Sequence, residues 1–393
     1  MGLPGSQRLR RCQKPSTMPT SYLLQAMLLL LLWHTPLALA FTLPASSYLK
    51  MALKPDSPSP LTAVSRSDLF KGVGLAGLGA AGITGAGITV KSAQAEADMV
   101  VRRPILSERI FDTKRRSFLP AEINRLMHNK ALDQRVVCIG EVHNDGLQHY
   151  AEYSILQAVH KRRGAAGLTV GLEMFYRQHQ PILDEYVFGK GTLASLKEDT
   201  KWDKTWGHKM AYYAKIFQYA KANGIRLCGL NVPQPVVQVV RQLGLEHIPE
   251  DLRRRLPAVV DLSNVAHRED FLATMRYFSR FHGGGSNGGG IPEEALERLY
   301  EAQTLWDEYM AESAVQVLEA NAGSRMIVLA GTNHIQNRYG VPDRITRRLG
   351  GQPVFTILPV SVEFDALTSL PKIGDGESFS PKVGDWMYFI EKA

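Results

Sequence analysis

The chain has 393 residues, 45% of them hydrophobic and 21% charged, which is the composition of an ordinary globular protein. Its net charge of +8 is unevenly placed: the first 95 residues hold nine Lys/Arg against two acids, a net +7, and the remainder is close to neutral. The folded part has no positive excess with which to neutralise phosphates, so a nucleic-acid partner is excluded, and three cysteines are too few for a disulfide framework.

Taken from the start, a basic stretch from Arg8 to Lys14 precedes the apolar run 23–33, and Ala38-Leu39-Ala40 follows as a small-x-small cleavage pattern. Residues 1–40 therefore read as a secretory signal peptide, with translation starting at Met1 or Met18. Residues 41–71 are rich in Ser, Pro, Leu and Ala, the composition of a plastid transit peptide. A signal peptide that ends in Ala-Phe-x-x-Pro and leads into such a stretch resembles the bipartite presequence of algae with complex plastids. Residues 72–95 form a Gly/Ala-rich apolar run ending in Ala93-Gln94-Ala95, which looks like a thylakoid-transfer signal, although the preceding Ser65-Arg66-Ser67 supplies one arginine where a twin-arginine motif has two. The expected address is the plastid, with the thylakoid lumen as end point. Membrane association is expected only if these segments stay uncleaved; the alternative for 72–90 is a retained membrane helix, for which its many glycines are a poor choice.

Residues 96–393 are expected to form one α/β domain. Apolar runs at 135–139, 167–172, 224–230, 325–330 and 352–358 read as buried strands. Cys138 and Cys228 lie in two of them and read as small buried side chains. Helical patterns cover 147–163, capped by Asn144-Asp145, and 209–222, then 233–241, opened by Pro233 and Pro235. Another covers 292–321, as one helix or two. The alternation predicts a mainly parallel central sheet flanked by helices. Residues 245–292 look less sheet-like and predict a helical cap or insertion, interrupted by the flexible Gly-rich loop 283–290. That loop lacks the following Lys-Ser/Thr of a phosphate cradle.

The chemistry lies at the strand ends. The first strand runs into Gly140-Glu141-Val142-His143 and the fourth into Gly331-Thr332-Asn333-His334, the second ends in Glu173 and the third in Asn231. In α/β sheets the carboxyl edge is where ligands sit. Two histidines and two carboxylates (Glu141, His143, Glu173, His334) suit a first-row divalent metal or acid/base work on a carbonyl. Glu173 has a plainer alternative as a helix cap or histidine orienter, and Asn231 with Pro233 as turn residues. Gln303, Asp307 and Met310 fall on one helix face at i, i+4 and i+7, so Asp307 either supports a histidine or is satisfied by backbone donors. Trp202, Trp206, Lys201, Lys204 and His208 form an aromatic and basic cluster, either a porphyrin cover or ordinary surface structure. His128, His160, His179, His247, His267 and His282 have no supporting pattern.

Gly-Glu-x-His, Leu172-Glu173-Met174-Phe175, Gln303-x-x-Trp306-Asp307-x-x-Met310-Ala311 and Leu329-Ala330-Gly331-x-x-His334 resemble, in that order, the motifs of the ChaN-like family of haem-binding uptake proteins and their plastid relatives. The paired Gly-x-x-His motifs are shared with the wider Tiki/TraB group, and erythromycin esterases are distantly similar. The resemblance spans residues 135–351. It implies an α/β fold, haem or a related tetrapyrrole as the ligand, and a homodimer, since bacterial members stack two haems between subunits with a tyrosine on each iron. No shared motif marks that tyrosine here; Tyr153, Tyr176 and Tyr309 are the candidates, with His143, His334, Asn231 and Asp307 lining the pocket. The alternative function is a metal-dependent hydrolase, a peptidase or esterase, using Glu141, His143, Glu173 and His334 on a metal or on water. No Gly-x-Ser-x-Gly lies between a predicted strand and a following helix, which argues against a serine acyl-enzyme.

Overall fold

The computed structural model describes residues 107–120, 126, 129–282, 291–362 and 384–391; the three N-terminal address segments and the Gly-rich loop 283–290 lie outside the described residues. The strands are β1 Ser107–Asp112, β2 Ser117–Phe118, β3 Val136–Glu141, β4 Leu168–Tyr176, β5 Arg226–Asn231, β6 Arg325–Gly331, β7 Phe355–Val362 and β8 Trp386–Glu391. The helices of two turns or more are α1 Gly146–Arg163, α2 Gln180–Phe188, α3 Leu193–Asp199, α4 Met210–Ala222, α5 Gln234–Leu243, α6 Val265–His282, α7 Glu293–Glu319 and α8 Val341–Arg348. No described helix is long and apolar enough to cross a membrane.

One sheet holds all eight strands in the order β2-β1-β8-β7-β3-β6-β4-β5. The six from β8 to β5 are mutually parallel, and β1 and β2 add an antiparallel edge. The mainly parallel sheet flanked by helices is thus present. Strands β1, β2 and β8 were not foreseen, and β4 runs four residues past the predicted end, so Glu173 lies inside a strand. Residues 292–321 yield a single helix.

Alternation along the strands divides the core between two faces. Val137, Ile139, Val170 and Leu172 pack with Ile155, Phe217 and Leu183 of α1, α4 and α2. Val136, Cys138, Met326 and Val328 pack with Met310, Ala314 and Ile345 of α7 and α8. Both Cys138 and Cys228 are buried, as expected. A smaller cluster joins α5 to α7, and another joins α6, from the region read as a cap, to α7 through Leu272, Met275 and Tyr300.

α7 and α8 are also clamped by charge. Glu308 is fully buried and faces Arg344, Arg347 and Arg348, with Arg344 itself only 2% exposed. Glu308→Gln keeps the shape but removes the charge that these guanidinium groups share. Chemical denaturation should show a loss of about 2 kcal/mol; an unchanged midpoint would mean the clamp contributes nothing.

Candidate functional site

Strand pairing builds the site. β3 and β6 are neighbours with Glu141 opposite Gly331, and β4 flanks β6 on its other side, with Leu172 opposite Leu329. The two Gly-x-x-His motifs make room for each other. A Cβ on Gly140 would lie 3.1 Å from Thr332 Cα and 2.5 Å from Leu358, and one on Gly331 would lie 2.9 Å from the His143 ring. Glycine at each position lets the opposite motif close in.

Each histidine is held by a carboxylate. His143 donates from Nδ1 to Glu141 Oε1 at 2.8 Å, and His334 donates from Nδ1 to Asp307 Oδ1 at 2.6 Å, with the Gln303 amide 3.0 Å from the same nitrogen. Glu173 stands between them. Its Oε1 is 3.4 Å from His334 Nε2, and its Oε2 accepts from the Gly331 backbone N–H at 2.6 Å. Asn231 donates to the Glu173 carbonyl at 2.7 Å and accepts from the Trp306 indole. Glu141, His143, Glu173, Asn231, Asp307 and His334 therefore meet at the carboxyl edge of four adjacent strands, β3, β6, β4 and β5, and the helix beside them.

The charges follow from these contacts. Burial opposes a charge on His334, but Glu173 and Asp307 outweigh it and lift its pKa to about 10. Burial raises Glu173, but the His334 cation outweighs it and takes it down to about 2. His143 is also raised against the effect of burial, by its hydrogen bond to Glu141 and by Glu173. Burial, then the neighbouring carboxyl of Glu152, push Glu141 up to about 7.

The tyrosines separate. Tyr153 packs its ring 5.6 Å from Tyr219 and accepts from Gln157, outside this constellation. Tyr176 closes β4 beside it, and burial raises its phenol. Tyr309 lies on α7 one turn from Trp306, with the Arg177 guanidinium 4.0 Å from its ring centre. Of the aromatic and basic cluster, Trp202 and Trp206 are core residues, while Lys201 and Lys204 are exposed. Trp206 and His208 do reach the site: their rings lie 4.6 and 5.0 Å from that of His143. Burial, then repulsion from His143, lower His208 to about 4.

Four further residues were not picked out from sequence. Tyr213 donates to Glu141 Oε1 at 2.6 Å and accepts from the Trp206 indole. His149 and Glu152 sit beneath Glu141 on α1. His267, given no role above, is buried with Nε2 3.9 Å from Asp307 Oδ2. His149 and Glu152 at i, i+3 on a helix facing the strand end were a usable signal; nothing local marked Tyr213 or His267.

Chemically, the edge presents one imidazolium locked between carboxylates (His334). It presents a second ring (His143) whose Nδ1 is committed to Glu141 and whose Nε2 lies beside Gly331. Trp206 and Trp306 flank the two rings.

A family model described as haem-binding uptake, Tiki superfamily, ChaN, matches residues 127–345. Among solved structures, cofacial-haem-bound ChaN of Campylobacter jejuni is similar with a TM-score of 0.53 at 18% identity, over 72% of this chain and 96% of that one. Erythromycin esterase EreC gives a TM-score of 0.39 at 12% identity, over 69% and 92% of the two chains. The type III effector HopBA1 gives 0.33 at 13%, over 66% and 88%. No curated protein sequence matches the chain.

Proposed function

Because this chain belongs to the ChaN haem-binding uptake family of the Tiki superfamily, we propose that it binds haem or a related tetrapyrrole at the carboxyl edge of β3, β6 and β4, in plastid iron or haem handling. The observation that carries the reading is the family match over the residues that build this edge, from Glu141 to His334. The donor set fits a porphyrin. Trp206 and Trp306 supply apolar surface against the two histidines, and phenol and imidazole are both known iron ligands.

His334 has both ring nitrogens directed at carboxylates, Nδ1 at Asp307 and Nε2 at Glu173, so its part is to hold Glu173 ionised. Among the tyrosines, Tyr309 fits best: Tyr153 is outside the constellation and burial disfavours the Tyr176 phenolate, whereas Tyr309 is half-buried beneath a guanidinium. Bound haem would supply an iron centre at this edge; His143, Asn231 and Asp307 position groups around it.

Haemin added to the purified protein should give a shifted Soret band. Tyr309→Phe should weaken binding about tenfold or more, near 1.4 kcal/mol, and Tyr153→Phe should leave it unchanged. A folded protein that gives no Soret shift would sink the haem reading. The homodimer expected for two stacked haems is tested in the same sample by sedimentation with and without haemin.

A second reading has its own observation: Glu141–His143 is a carboxylate-oriented imidazole, the pairing of a general base. It predicts ester or peptide hydrolysis that His143→Ala abolishes.

In the first reading residues 1–95 carry the domain to the plastid, with the lumen as end point. A fluorescent fusion of those residues that stays in the cytosol or secretory pathway would exclude this address.

A further inference from the structure

Beneath the edge lies a second group of residues. Glu141 is a two-sided carboxylate: Oε1 is taken by His143 and Tyr213, and Oε2 points inward, 3.7 Å from His149 Nδ1. His149 Nδ1 is also 2.8 Å from Glu152 Oε2. One ligand atom from each of Glu141, His149 and Glu152 lies within 4.8 Å of the other two, and all three residues are buried.

Three observations point to an occupant. First, His149 donates from Nε2 to the His143 backbone carbonyl at 3.1 Å, so in the neutral ring Nδ1 carries the lone pair. A metal-ligating histidine is commonly held this way. Secondly, Glu141 Oε2 and Glu152 Oε1 are buried without a hydrogen-bond partner. A buried carboxylate oxygen without a donor is costly; a proton on Glu152 can bridge to Glu141, but the His149 Nδ1 lone pair then still faces the other Glu152 oxygen at 2.8 Å. Thirdly, the ring of His149 is walled by Tyr212 and Tyr213, at 5.5 and 4.4 Å, which fixes its orientation.

We propose that Glu141 Oε2, His149 Nδ1 and Glu152 hold one divalent first-row metal ion, of the zinc or cobalt type, as a structural ion beneath the His143 edge. One imidazole and two carboxylates suit such an ion better than calcium or magnesium, which favour all-oxygen sites. Metal binding releases to solvent any proton that the two carboxyls hold. The ion also holds Glu141 ionised, and through Oε1 it fixes the ring of His143. This site is separate from haem binding and stands whether or not haem binds.

The test strips the protein with a chelator and titrates Co²⁺ alone, followed by its visible d–d absorption and by metal analysis. One equivalent is expected for the wild type, for Glu173→Gln and for His334→Asn. Glu152→Gln should lose affinity on the order of 100-fold or more. No bound Co²⁺ in the wild type overturns the proposal, as does binding that survives Glu152→Gln and is lost in Glu173→Gln, since the ion would then belong to the upper edge. A measurement on the wild type alone covers a Glu152 variant that fails to fold: pulsed EPR of the Cu²⁺-loaded protein should count one coordinated imidazole. Two imidazoles would place the ion between His143 and His334 and overturn the assignment.

Discussion

Asp307→Ala is expected to lower the unfolding free energy by about 3–5 kcal/mol, the range for removing one partner of a buried ion pair. Asp307 is fully buried and receives the Nδ1–H of His334, which is itself only 5% exposed. Without it the His334 cation keeps Glu173 as its one close carboxylate, and the Nδ1 proton loses its acceptor. The pH dependence gives a second readout. The pKa of His334 is raised from 6.5 to about 10, so its stabilisation is complete below pH 6.5 and is lost as pH rises through 10. That of Glu173 is lowered from 4.5 to about 2, so its stabilisation is complete above pH 4.5 and is lost as pH falls through 2. These two groups together favour the fold most between pH 4.5 and 6.5. In Asp307→Ala the alkaline limb should begin at lower pH, because one of the two carboxylates that raise His334 is gone. Urea denaturation across pH checks both statements. A variant as stable as the wild type, with an unshifted alkaline limb, would remove Asp307 from the account.

Gly331→Ala is the second large effect. The new methyl would lie 2.9 Å from His143 Cε1 and 3.1 Å from Nε2, and His143 is already packed against Trp206 and His208. The ring must turn away from Glu141. Overpacking of this kind costs about 1–3 kcal/mol, and the His143 titration midpoint, raised in the native protein by Glu141 and Glu173, should fall towards or below 6.5. NMR titration of the imidazole C–H signals measures this directly. If His143 positions haem, affinity falls with it. Gly146→Ala is the control: its methyl would meet nothing nearer than Tyr212 at 3.6 Å, in the first turn of α1. It should be neutral or stabilising by a few tenths of a kcal/mol. Equal losses in both variants would mean that Gly331 has no special role.

Much of this was legible in the chain. Buried parallel strands are continuous apolar runs, so Val136-Val137-Cys138-Ile139 and Met326-Ile327-Val328-Leu329-Ala330 announced themselves, and a polar residue directly after such a run stands out. That made Glu141, His143, Glu173, Asn231 and His334 recognisable before any contact was known. The i, i+4 spacing of Gln303 and Asp307 likewise placed both on the helix face that reaches His334. The helix over 180–188 and the edge strands β1, β2 and β8 were missed. Tyr213 and His267 were not legible because a buried polar residue on an amphipathic helix has the same spacing as a core residue.

The order of apolar runs and turn residues was enough to specify α/β class, the parallel character of the sheet and the identity of the edge residues, because those depend on local periodicity and on which groups follow a strand. Which strands are neighbours depends on long-range packing that no local pattern encodes. Only the pairing of β3 with β6 sets Glu141 opposite Gly331, nearly 200 residues away, and puts His143 into the space that Gly331 leaves empty. Only the packing of α1 and α4 onto that edge gives one oxygen of Glu141 to His143 and Tyr213 and turns the other towards His149 and Glu152.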